Sequence, residues 1–142
     1  VILVDSSAWI EFLRATGSPV HHRLRTALEE SATLASSDVI VMEILAGARD
    51  AADRERLRRL LYGLEFLGVE GPADYEAAAE IFRACRRGGE TPRKLTDCLI
   101  AAVAIRSNAE LLCADSDFAA IARHVDLRLI LSSSPRGTGL GT

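Results

Sequence analysis

The chain predicts an α/β domain with a largely parallel central sheet. Short apolar runs of strand length recur along it, and each is followed by a helical pattern with one apolar stripe. The first run, residues 1–4, is apolar throughout, as expected of a strand buried on both faces. At 142 residues the chain fits one domain, assigned here to 1–131.

Taken in order, residues 1–4 form the first strand. Ser6 or Ser7 caps the next helix, where Trp9, Phe12 and Leu13 fall at i, i+3 and i+4 on one apolar face. Gly17-Ser18-Pro19 breaks it. Residues 20–30 form a second helix with Val20, Leu24, Ala27 and Leu28 inward. A short strand at 33–35 leads to Ser36 or Ser37, which caps a helix over 38–48. Residues 52–63 form a strongly charged helix whose apolar side holds Leu57, Leu60 and Leu61. Residues 66–69 read as a strand. Pro72 opens a helix through 87, with Tyr75, Ala78, Ala79, Phe82 and Cys85 on one face, and Gly88-Gly89 ends it. Thr96 caps a helix to 107 that is apolar nearly all round and therefore central. Residues 110–114 are a strand, 117–124 a helix and 127–131 a last strand. Residues 132–142 change to Ser, Gly and Thr and read as a flexible tail. No internal repeat occurs.

Composition narrows the function. No uncharged apolar run reaches the roughly 18 residues of a membrane span. No basic segment precedes the first apolar run, so that run reads as a strand and not as a signal peptide. Cys85, Cys98 and Cys113 are odd in number and widely spaced, and they suit small buried positions in a reducing cytoplasm. Adjacent His21 and His22 and a solitary His124 give no zinc spacing. Net charge is −3, which at first argues against a nucleic-acid partner.

Five acids change that view. Asp5, Glu43, Asp97, Asp115 and Asp117 sit where apolar sequence would otherwise continue. Without them the chain has 17 basic and 15 acidic residues, a mildly basic balance that a nucleic acid can meet. In open parallel sheets ligands bind beyond the carboxyl ends of strands, and Asp5 and Asp115 each follow a strand directly. Asp97 opens the buried helix. Glu43 shares a face with Ser36, Val39, Ile40 and Gly47, which is otherwise small or apolar. Asp97 and Asp117 also suit the dipole of a first helical turn, and Asp115 suits a cap. Two carboxylates 4 Å apart repel by about 4 kcal/mol at an effective dielectric near 20. A cluster of four or five therefore calls for cations, and oxygen-only ligands suit Mg²⁺ or Mn²⁺. Paired metals held by carboxylates are apparatus for phosphodiester cleavage.

Basic residues flank these acids. Arg83, Arg86, Arg87, Arg93 and Lys94 surround Gly88-Gly89. Arg86, Arg87, Arg93 and Lys94 are candidate RNA contacts, against the alternative of a solvated helix end whose cations meet the dipole. Aromatics are too few and scattered for a stacking platform, so Trp9 and Phe12 are assigned to the core.

The motifs together carry a resemblance. Val4-Asp5-Ser6-Ser7-Ala8-Trp9-Ile10, Met42-Glu43-Ile44-Leu45-Ala46-Gly47, Arg93-Lys94-Leu95-Thr96-Asp97-Cys98-Leu99-Ile100-Ala101 and Asp115-Ser116-Asp117-Phe118 follow the ordered signature of PIN-domain ribonucleases. Among these the chain resembles the toxin of a bacterial VapBC toxin–antitoxin pair. The resemblance implies a three-layer α/β/α sandwich and a metal-dependent endoribonuclease of single-stranded or loop RNA. It matches Asp5, Glu43, Asp97 and Asp115 to the family's catalytic and metal-binding acids, with Asp117 auxiliary and Ser7 as a hydroxyl bonding within the site. It also implies a homodimer, a VapB-type antitoxin as partner and a cytoplasmic location, with no membrane. Competing readings are a haloacid-dehalogenase-like phosphatase and a PIN-like module that binds RNA or protein without cleaving. The phosphatase chemistry wants a second acid two residues after Asp5, where Ser7 stands.

Overall fold

A computed structural model describes residues 1–130. Five strands form one parallel sheet: β1 (Ile2–Val4), β2 (Leu34–Ser36), β3 (Glu65–Phe66), β4 (Glu110–Leu112) and β5 (Leu129–Ile130). Their order is β3-β2-β1-β4-β5, with Leu3 level with Ala35 on one side and Leu111 on the other. Seven helices connect them: α1 (Ser6–Leu13), α2 (Pro19–Glu29), α3 (Asp38–Ala46), α4 (Ala51–Tyr62), α5 (Gly71–Arg87), α6 (Leu95–Arg106) and α7 (Asp117–Ala122). The chain winds outward from β1 to β3, then returns across β1 to β4 and β5. With right-handed crossovers, this reversal puts helices on both faces of the sheet. It also opens a crevice between the carboxyl ends of β1 and β4.

All of β1 is buried, and Ile2, Leu3 and Val4 form the centre of the core. The unbroken run Asp97–Ala104 in α6 is buried as well, as its all-round apolar sequence predicts. α6 packs on α5 and α7 and touches α3, so elements from both faces meet near one edge of the sheet. Trp9 is fully buried and stacks edge-on against Phe12, which in turn meets His21, consistent with core roles for both aromatics. The three cysteines are free. No helix among the described residues is long and apolar enough to cross a membrane.

Several local expectations are corrected. Asp5 caps α1, in place of Ser6 or Ser7, by accepting from the Ser7 amide. A carboxylate is the stronger acceptor at a helix N-terminus. Lys94, not Thr96, occupies the cap position of α6, with no side-chain cap bond. The third strand is Glu65–Phe66, earlier than 66–69, because it ends where the Leu67 amide turns to the Ser36 carbonyl. Leu28 is exposed.

The inward face of α5 is Asp74, Ala78, Ile81 and Cys85, whereas Tyr75 is exposed. A charged residue took the inward position because Arg106, closing α6, donates to both Asp74 oxygens at 2.9 Å. The same guanidinium donates to the Gly68 carbonyl at 2.8 Å. The predicted tail, residues 132–142, and Leu131 lie outside the described residues.

Candidate metal centre

The site forms where β1 and β4 end. The Asp5 amide donates to the Leu112 carbonyl at 2.9 Å, so the two strand ends are bonded at the crevice. Asp5 is buried, and Ser7 holds its carboxylate twice, through the hydroxyl at 2.5 Å and the amide at 3.0 Å. The Ser7 hydroxyl also accepts from the Ala114 amide at 3.0 Å, which ties the β4 exit to α1. Burial raises the Asp5 carboxyl above its ordinary range against the Ser7 bonds, and nearby Glu43 raises it further.

Glu43 reaches the site from the second half of α3, half-buried, with the Ser6 hydroxyl donating to Oε1 at 2.8 Å. Asp97 enters from the first turn of α6 and is 3% exposed. Its Oδ2 is buried with no hydrogen-bond partner. Burial is the main cause that pushes its carboxyl up to about 6, and Asp5, Asp115 and Asp117 add repulsion that Lys94 partly offsets. Asp115 accepts from the Asp117 amide at 2.9 Å, which starts α7 and turns both acids toward Asp97. Oxygens of Asp97, Asp115 and Asp117 all lie within 4.8 Å of one another.

Glu43 and Asp5 stand outside that tightest group. Both act electrostatically on Lys94 together with Asp97 and Asp115, so the field of four acids converges on one cation. Cys113 also lies beside these acids, and burial pushes its thiol up to about 12, which leaves it protonated and unreactive.

The basic candidates divide. Arg93 donates from Nε and Nη2 to the two Asp117 oxygens at 3.2 and 2.9 Å. Lys94 Nζ stands 3.8 Å from Asp97 Oδ1. Arg86 and Arg87 close α5, and the Arg86 guanidinium lies 5.8 Å over the Phe82 ring, with no ion pair to the acid cluster among the described residues. Glu90, beside them in sequence, accepts from Arg123 and bonds His124 at 2.7 Å, which fastens the end of α7 to the turn after α5. Gly88 permits this, because a Cβ there would lie 2.3 Å from the His124 ring. Neither the Glu90 staple nor the Asp74–Arg106 pair is legible in the sequence. The signal lay in partners more than 30 residues apart, which periodicity along the chain does not register.

A groove of about 520 Å³ adjoins the site, lined on its apolar side by Trp9, Ile10, Leu13, Ile44 and Leu57. Glu43 and Arg14 also line it, and Arg49 and Arg56 both pair with Asp53 in its wall.

The donor set suits a hard divalent cation: carboxylate oxygens only, one of them buried and unpartnered. A doubly wound parallel fold with such a cluster at its switch point defines a class of acid-centred α/β proteins. Residues 2–124 match the PIN domain family. Ribonuclease VapC11 of Mycobacterium tuberculosis is 49% identical over 129 residues, covering 90% of this chain and 96% of that protein. VapC ribonuclease Mb1587 of Mycobacterium bovis gives the same figures. The chain belongs to the PIN-domain family, on its VapC ribonuclease branch.

Solved structures agree in fold. VapBC2 from Rickettsia felis, bound to a promoter DNA fragment, superposes with a TM-score of 0.70 at 18% identity, over 91% of this chain and 96% of that one. VapC20 of Mycobacterium tuberculosis, a sarcin-ricin loop cleaving toxin, gives 0.63 at 18% identity over 90% and 99%.

Proposed function

We propose that this chain is a metal-dependent endoribonuclease toxin neutralised by a VapB-type antitoxin. The observation that carries the reading is the buried, unpartnered Asp97 oxygen within 4.8 Å of Asp115 and Asp117 oxygens. Membership of the VapC ribonuclease branch supports RNA as substrate. When bound, Mg²⁺ or Mn²⁺ would lower the pKa of a water and offset charge developing on the scissile phosphate.

The chain's own residues prepare that chemistry. Asp97, Asp115 and Asp117 are the candidate ligands, with Asp5 and Glu43 completing the negative wall. Ser7 keeps Asp5 oriented, and Ser6 does the same for Glu43. Arg93 and Lys94 are positioned to meet a phosphate beside the acids, since both reach the cluster and remain largely exposed. Arg86 and Arg87 are retained as candidate contacts for more distant phosphates. An antitoxin segment with an apolar face suits the groove beside Glu43. A homodimer is proposed on the family resemblance.

Purified protein incubated with single-stranded and stem-loop RNA tests the reading. Cleavage is expected with Mn²⁺ or Mg²⁺ and not in EDTA. Asp97→Asn should lower the rate by about 100-fold or more, since it removes ligand charge at nearly constant volume. Undiminished cleavage by folded Asp97→Asn would remove this residue from the mechanism. RNA binding without cleavage, under every metal condition, would favour the non-catalytic module.

A further inference from the structure

Arg93 and Lys94 enter the acid cluster from the segment before α6 while staying open to solvent. Three quarters of the Arg93 side chain is exposed, against 17% for Asp117, whose carboxylate it grips with two donors. Half of the Lys94 side chain is exposed, against almost none of Asp97. These two cations, with Asp115 and Asp117, line one recess of about 260 Å³. Each therefore has one side on a carboxylate and the other facing solvent.

Charge decides what happens next. Asp5, Glu43, Asp97, Asp115 and Asp117 outnumber the two cations, so the pairs neutralise the cluster only in part. A divalent cation on the Asp117 oxygens competes directly with Arg93 for them, and one on the free Asp97 Oδ2 repels Lys94 from the same carboxylate. Once displaced, a guanidinium and an ammonium stand free at the mouth of the recess. A phosphodiester approaching carboxylates needs such charges, and a guanidinium fork fits phosphate as well as carboxylate.

We propose that Arg93 and Lys94 are exchange residues: they hold Asp117 and Asp97 when no cation is bound, and pass to an RNA phosphate when a divalent cation takes those carboxylates. The inference rests on the metal-dependent ribonuclease reading and adds that metal and RNA bind with positive coupling, each strengthening the other. Arg93 carries the larger share, because its contact is two-pronged. Both are binding and positioning residues.

Two measurements on the full chain test this without reading activity. Mn²⁺ is titrated into wild type, Arg93→Ala and Arg93→Lys, with free Mn²⁺ counted by EPR. Arg93→Ala is expected to bind Mn²⁺ about threefold to tenfold more tightly, because its competitor is gone, with Arg93→Lys between. Binding of a short fluorescein-labelled single-stranded RNA is then followed by anisotropy in EDTA, for wild type, Asp117→Asn, Arg93→Ala and the double variant. Asp117→Asn frees Arg93 and should tighten RNA binding several-fold, and much less when Arg93 is already Ala. Equal or weaker Mn²⁺ binding by Arg93→Ala, or the same Asp117→Asn effect in both backgrounds, overturns the exchange and leaves the nuclease reading standing. No Mn²⁺ binding by any of the proteins at millimolar concentration overturns the metal reading, and the exchange with it.

Discussion

Asp97 concentrates the tension of this fold in one side chain. Burial and three neighbouring acids lift its carboxyl from 3.8 to about 6. Because the folded value lies above the unfolded one, the folded protein holds the proton more tightly between about pH 4 and 6. Metal-free stability should then fall as pH rises through that window and stay low above it. Asp97→Asn removes the charge, so in EDTA at neutral pH it is expected to stabilise the fold by about 1–3 kcal/mol. The gain should shrink toward pH 4, where wild-type Asp97 is itself protonated. Urea unfolding of both proteins across this pH range checks the sign, and a destabilised variant at neutral pH in EDTA would contradict it. Metal binding should weaken as pH drops through about 6, since the cation must displace the Asp97 proton.

Among elements, the sequence shows most clearly what is periodic or continuous. The apolar run of β1 and the all-round apolar α6 are buried as predicted, because nothing but a core can accept them. Asp5, Glu43 and Asp97 stood out for the same reason, each being an acid inside apolar sequence. Partnerships across the fold were not legible. α5 reads as an aromatic-lined stripe, yet it turns Asp74 inward because Arg106 waits there. That pairing depends on where α6 ends in space. The Arg106 guanidinium holds the Asp74 carboxyl below its usual range. Arg106→Ala would strand a buried carboxylate and is expected to cost about 2–4 kcal/mol, more than an exposed ion pair. Chemical denaturation measures this, and a loss under about 1 kcal/mol would mean that the pair is screened like a surface bridge. Asp74→Asn with Arg106→Ala should cost less than the sum of the two single changes.

At the scale of the whole molecule, the sheet order brings distant segments to one edge. β1 and β4 are neighbours although more than 100 residues separate them, so Asp5 meets Asp115 only after the chain reverses direction at the switch point. The resulting cluster of like charges is a standing cost that a divalent cation, if the proposed metal centre holds, would relieve. Saturating Mn²⁺ or Mg²⁺ at about 100 times its dissociation constant should add about 2.7 kcal/mol to stability. Thermal unfolding with and without EDTA reads that shift, and an unchanged midpoint at millimolar metal would count against the centre. In the function proposed above, these acids cut RNA by way of a metal-activated water. Its most direct test is the chemistry of the new ends: an end-labelled RNA is cleaved by the purified protein with Mn²⁺ and with EDTA, and the fragment termini are identified. A 5′-phosphate on the downstream fragment is expected with Mn²⁺, and no cleavage in EDTA. Fragments ending in 2′,3′-cyclic phosphate, or robust cleavage in EDTA, would contradict it.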